Sequence, residues 1–254
     1  MTVELIQFRF SPYNEKVRWA LDFKGIAHTR RSLLPGTHFP VVKKLTGQTA
    51  TPVLSIEGIA FAGSSRILAE IERRWPEPAL YPEDPELLAA AMDIERRFDE
   101  DLTPRCRRAL LDAMLSDYRY LAGMFGGGLV YRAALPIASG MIRKGNGITG
   151  LAAVEDGLRA NVEALDLVAA ASAATGYLAG PTFTIADLTA ASQLATLACP
   201  DHPDMRRPRP EPDALVAMLK PLAAHPAIGW MKRMYELHRG VANARMLGID
   251  AIAR

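Results

Sequence analysis

The chain has 254 residues, room for one large domain or two of modest size, each able to bury a core. Hydrophobic residues make up 49% and charged ones 23%, which excludes disorder as the main state, and 30 Lys+Arg against 28 Asp+Glu leave a formal charge of only +2, so no nucleic-acid-binding class is implied. The two cysteines, Cys106 and Cys199, stand far apart, which excludes a disulfide scaffold and the common zinc spacings and fits a reducing, cytoplasmic setting.

Residues 3–8 have strand-like composition. Ser11-Pro12 then opens a helix with Val17, Ala20, Leu21 and Phe23 at helical spacing: Ser11 suits the N-cap, Pro12 the first helical position, and Gly25 the left-handed stop. A weaker strand is expected over 26–33, then an irregular stretch with Pro35, Gly36, Pro40 and Gly47 that has room for another helix. Residues 51–56 and 59–61 flank Glu57-Gly58 as a hairpin would, and 64–74 form an amphipathic helix with Ile67, Leu68 and Ile71 inward. Four prolines, Pro76, Pro78, Pro82 and Pro85, forbid either neighbouring helix from running through. The division expected is therefore 1–80 and 86–254.

The second part reads as helical throughout. Asp84-Pro85 starts a helix expected to reach about Leu102, where Pro104 forces a break or kink. Further helices are expected near 105–122, 150–175, 184–198, 212–223 and 226–239. Residues 123–150, rich in glycine, and 200–212, rich in proline and arginine, read as long loops or covers. The arginine clusters Arg105, Arg107, Arg108 and Arg206, Arg207, Arg209 have acidic residues nearby and read as solvated faces. The most apolar stretch, 126–142, is broken by Arg132 and Pro136 and falls short of the roughly 20 residues that span a bilayer, so no integral membrane segment is expected. The N-terminus offers no basic-then-apolar pattern of a signal peptide.

Two local signals carry the functional argument. In Phe183-Thr184-Ile185-Ala186-Asp187-Leu188 the Thr184 hydroxyl and the Asp187 carboxylate can each satisfy the other's backbone N–H, a capping box framed by the apolar pair Phe183 and Leu188. Its role is folding. The other signal is Ser11-Pro12-Tyr13-Asn14 between a strand and a helix, similar in placement to the Cys-Pro-Tyr-Cys turn of glutaredoxins with both cysteines replaced. Thiol–disulfide exchange cannot run there, but a hydroxyl at a helix N-terminus favours a bound thiolate.

Taken together and in order, these segments resemble the cytosolic glutathione transferases over nearly the whole chain. Ser11-Pro12-Tyr13 followed by Lys16-Val17-Arg18 is similar to their serine-type active-site turn, Thr51-Pro52-Val53-Leu54 to the strand entered through a cis-proline, and residues 183–188 to their capping segment. The resemblance implies an α/β thioredoxin-like domain followed by an all-α domain, a homodimer, and glutathione as co-substrate. It implies that Ser11 donates its hydroxyl to the glutathione sulfur, the thiolate then attacking a small hydrophobic electrophile. A charge-assisted bond of about 1.5–3 kcal/mol corresponds to a thiol pKa lowered by roughly one to two units. Against this stands the plain reading of Ser11 as an N-cap, and Tyr13 is the competing hydroxyl.

By the same resemblance Thr51, before cis-Pro52, pairs its backbone with the cysteinyl part of glutathione, Ser64 holds the γ-glutamyl carboxylate, and Lys44 is a candidate for the glycyl carboxylate. Where the family has an acidic residue or glutamine, this chain has Gly63, which offers nothing to the γ-glutamyl ammonium. Either the ligand is held more weakly, or the chain is a binding or scaffold descendant. The electrophile pocket is expected between the domains, with Phe10, Tyr118, Tyr120 and Phe125 as pocket or core. The five histidines form no close ligand set, so no metal is expected, and no phosphate-binding loop appears.

Overall fold

The computed structural model describes residues 1–249. Strand β1 (Val3–Gln7) pairs parallel with β2 (His28–Ser32) and antiparallel with β3 (Val53–Ile56), which turns through Glu57 and Gly58 into β4 (Ile59–Ala62). Both turn residues take positive φ, 51° and 83°, the backbone a two-residue hairpin between right-twisted strands requires. Alternation sorts the sheet's two faces. Val3, Leu5, Leu54 and Ile56 enter the main core, whereas Ile6 and Val53 point the other way, onto Val42 of α2 (Phe39–Thr46). On the main-core face lie α1 (Pro12–Phe23) and α3 (Ser64–Arg74). Gly25, with φ 65°, follows α1 in the left-handed conformation its position predicts.

The helical part begins with α4 (Pro85–Arg97), whose N-cap Asp84 accepts from the amides of Glu86 and Leu87. The chain does not break at Pro104. A π-helical turn over Phe98–Leu102 joins α4 to α5 (Thr103–Met114), so the missing proline N–H is absorbed by a locally widened helix. The helix expected over 105–122 is divided, with α6 (Tyr118–Met124) starting anew at Asp117. Next, α7 (Leu129–Gly145) occupies the stretch where the glycines predict a loop. The glycines that suggested a loop sit mostly at its ends, and Pro136 is carried inside the helix.

Then follow α8 (Leu151–Ala171), α9 (Ile185–Ala198), α10 (Asp213–Leu219) and α11 (Pro226–His238). Every residue of α9 through Leu197 is buried, and this helix packs against α1, α4 and α11, joining the two halves around one apolar core. The capping box forms as read: Asp187 accepts from the Thr184 N–H at 2.9 Å, and also from the Leu178 N–H at 2.9 Å. Burial pushes the Asp187 carboxyl up to about 6 in spite of these bonds.

Residues 86–254 are not helical throughout. β5 (Ala244–Gly248) runs back to the sheet and pairs parallel with β2, giving the order β4-β3-β1-β2-β5. Its five residues, ARMLG, lack the alternation that announces a strand; pairing with the open edge of β2 makes it one. Residues 250–254 lie outside the described residues.

Candidate functional site

Strand β1 ends in the loop Phe8-Arg9-Phe10, which delivers Ser11 to the N-terminus of α1 with extended backbone (φ −160°, ψ 130°). Pro12 has no N–H, so the amides left open at this helix end are those of Tyr13 and Asn14. The Ser11 hydroxyl makes no capping hydrogen bond to them. Half-buried and uncommitted as a cap, it is a donor beside the positive end of a twelve-residue helix.

The Thr51-Pro52 peptide is cis. Asn14, one turn into α1 and fully buried, donates its Nδ2 to the Thr51 hydroxyl at 3.2 Å, which brings the serine turn and the proline loop together. The Asn14 Oδ1 accepts no hydrogen bond from the protein. Ser64, buried, is the first residue of α3, and Gly63 before it caps the helix with φ 87° and ψ 122°. A side chain there would strain the backbone, although a Cβ would meet nothing within 4 Å. Lys44 is exposed on α2 and makes no hydrogen bond or ion pair among the described residues.

Tyr13 does not compete for a ligand. Its hydroxyl donates to the Asp99 carbonyl at 2.8 Å, and burial holds it well above its usual pKa, so it remains a neutral donor spent on the helical part. Beside it, Lys16 Nζ lies 2.7 Å from Glu95 and 2.6 Å from Asp99, with Ser65 bonded to the same Asp99 carboxylate. Arg107 stands next to Tyr13 with its Nε unbonded and its pKa lowered by burial, so this arginine is not the solvated residue its cluster suggested.

The apolar wall of the turn is aromatic. Phe8 meets His38 edge-on at 4.7 Å and Phe125 at 6.1 Å, joining the loop after β1, the start of α2 and the turn after α6. Burial keeps His38 neutral by lowering its pKa. Of the aromatic candidates, Phe10 and Tyr120 are core residues; Tyr118 and Phe125 are partly buried against that core.

Under α1 lies a charge network that sequence spacing does not show, since its members span residues 15 to 239. Arg239, just past α11, reaches Glu15 at 2.8 Å, Asp22 at 2.7 Å and Asp204 at 2.7 Å. Arg18 pairs with Glu15 at 2.7 Å, and Arg30 with Asp22 and with Asp204 at 2.6 Å. Burial alone would raise Glu15 and Asp204, but the arginines outweigh it and hold both carboxyls below their ordinary values. The network ties the helix that carries Ser11 to the second half of the chain.

Residues 5–79 match the family described as glutathione S-transferase, N-terminal domain. A probable glutathione S-transferase from Nicotiana tabacum is 33% identical over 91 residues, a match spanning 33% of this chain and 38% of that one. Among solved structures, beta-etherase LigF from Sphingobium gives a TM-score of 0.61 at 18% identity over 92% of this chain and 99% of that one. FzlA from C. crescentus gives 0.57 at 20% identity over 91% and 92%. The theta class glutathione S-transferase from Xanthomonas axonopodis, solved with glutathione bound, gives 0.54 at 19% identity over 95% and 99%. At these identities the structural likeness establishes the fold, a thioredoxin-like β/α part followed by a helical part.

Proposed function

We propose that the chain, whose residues 5–79 match the glutathione S-transferase N-terminal domain, binds reduced glutathione at the Ser11 turn and transfers it, as a thiolate, to a small hydrophobic electrophile. The observation that carries this reading is the Ser11 hydroxyl, which stands at the N-terminus of α1 and is not used to cap it. There it donates to the sulfur, and the open amides of Tyr13 and Asn14 add the positive end of the helix. The bound thiol then releases its proton to solvent near neutral pH without a general base, and its sulfur attacks the electrophilic carbon as that carbon's leaving group departs.

The remaining contacts follow from the same placement. Thr51 offers its backbone beside cis-Pro52, and Ser64 its hydroxyl and the amides of α3 to a carboxylate. Lys44 reaches for the glycyl carboxylate from α2, and Phe8 and Phe125 supply apolar surface for the electrophile. Gly63 favours a second reading, in which the fold is kept as a non-catalytic binding surface, because no side chain there can hold the γ-glutamyl ammonium.

Calorimetric titration with reduced glutathione separates the two. Saturable binding that weakens in Ser64→Ala, with a raised thiol pKa in the Ser11→Ala complex, is the outcome of the transferase reading. Absence of binding at millimolar glutathione overturns it in favour of the binding surface.

A further inference from the structure

We propose that the outward face of α7 is a docking surface for an anionic lipid membrane. This helix is apolar on both sides. Tyr131, Leu135 and Ile142 pack inward on the core. At 100° per residue, Val130, Ala133, Ala134, Ile137 and Met141 fall on the opposite side, and all are exposed. Val130 and Ile137 are 86% and 85% exposed, Met141 72%, and Leu129 at the helix start 74%. A surface helix of a soluble domain turns polar residues outward; α7 does the reverse, and a contiguous apolar face of this kind marks an interaction site.

Charge selects the partner. Between Asp117 and Glu155 there is no acidic residue, yet the segment carries Arg119, Arg132, Arg143 and Lys144 in a chain whose net charge is only +2. Arg143 is paired with Asp112; Arg119, Arg132 and Lys144 have no ion pair among the described residues. Lys144 extends the outward stripe one turn beyond Met141, so its aliphatic stem can lie along the apolar face with the ammonium at headgroup depth. An apolar helix face bordered by cations, on a helix that carries no carboxylate of its own, is complementary to an anionic leaflet. A second copy of the chain, meeting this face across a two-fold axis, would set the same cations against each other.

The helix lies on the membrane rather than crossing it. Among the described residues no single helix is long and apolar enough to span, and α6 and α7 are bent by 120° to one another. The segment inserts its outward side chains at the headgroup boundary, parallel to the surface.

Co-sedimentation of the full chain with phosphatidylcholine vesicles, with and without roughly a third phosphatidylglycerol, tests this. The protein is expected on the anionic vesicles only, with binding screened by salt and about five-fold weaker for each of Arg132→Gln and Lys144→Gln. Ile137→Asp, at an exposed site, is expected to abolish binding while leaving the circular dichroism spectrum and the unfolding midpoint unchanged. Failure of the folded wild type to bind anionic vesicles overturns the proposal, as does equal binding to neutral vesicles or binding that survives Ile137→Asp. An oligomer that dissociates in Ile137→Asp, with no vesicle binding by the wild type, assigns the face to a second copy and overturns it equally.

Discussion

Arg239 provides the sharpest test of how the two halves of the chain hold each other. Its guanidinium is fully buried and bonds three carboxylates, Glu15, Asp22 and Asp204, which Arg18 and Arg30 also serve. Three arginines against three acids leave the cluster neutral, so Arg239→Leu leaves one uncompensated negative charge in the interior. Breaking a buried pair by removing one partner costs about 3–5 kcal/mol, because the remaining charge stays desolvated. At about 2–4 °C per kcal/mol for a chain of this size, the melting temperature falls by roughly 6–20 °C. The pH dependence separates charge from packing. Glu15 and Asp204 have folded pKa values below their unfolded ones, so their contribution is complete above about pH 4.5 and is lost as pH falls through the folded values. In Arg239→Leu that depression shrinks, so wild type and variant converge in acid. Urea unfolding at neutral pH and at about pH 3, inside the window where these carboxylates lose their contribution, measures both effects. A cost under about 1 kcal/mol, or one that does not change with pH, refutes an electrostatic lock.

Three further outcomes follow from the site and the core. Ser11→Ala is expected to leave stability within about 0.5 kcal/mol, since the hydroxyl makes no cap bond, while conjugation near neutral pH drops about ten- to a hundred-fold and recovers above about pH 9; a pH–rate profile parallel to wild type refutes thiolate activation by Ser11. Gly63→Gln is expected to cost about 1–2 kcal/mol through its φ of 87° and yet tighten glutathione binding several-fold, read by thermal unfolding and calorimetry on the same samples; unchanged affinity refutes the missing ammonium contact as the weakness of the site. Asp187→Ala leaves the buried amides of Leu178 and Thr184 without an acceptor and is expected to cost about 2–4 kcal/mol in chemical unfolding, where a loss below about 1 kcal/mol would contradict the role of the capping box.

The elements legible in the sequence are those with local causes. Pro12 opens α1 through its fixed φ and Gly25 ends it with a positive one, Glu57-Gly58 turns the hairpin, and Thr184 to Asp187 starts α9, each through a bond or a φ value set within a few residues. What escaped the reading has distant causes. β5 is a strand because β2 offers an edge over two hundred residues earlier, and no alternation within Ala244–Gly248 announces it. α7 does not announce itself because glycines at 126–128, 147 and 150 bracket a helical run whose outward apolar face has no partner among the described residues. In the candidate site, the settings of Ser11 at a strand–helix turn, of Thr51 before cis-Pro52 and of Ser64 at a helix start were legible through the family resemblance. Asn14 was not, because its importance lies in a bond to Thr51 and in a buried oxygen with no donor.

Helix α1 connects the two levels of this argument. Its first turn presents Ser11 and two open amides, while Tyr13, Glu15, Lys16 and Arg18 point to groups beyond the first eighty residues: the Asp99 carbonyl, Arg239, Glu95 and Asp204. A helix end placed for a thiolate must be held to within a few tenths of an ångström to donate well, since hydrogen bonds weaken steeply with poor geometry. On its own half of the chain α1 is held by Arg18 to Gln7, Asp22 to Arg30 and Asn14 to Thr51, besides the apolar contacts of Val17 and Leu21. The buried bonds to Glu95, Asp99, Asp204 and Arg239 hold it from the helical half as well. If glutathione is activated at Ser11 as proposed, the helical part contributes to that chemistry without contacting the sulfur, and loss of Arg239 should displace the thiol pKa as well as the melting temperature.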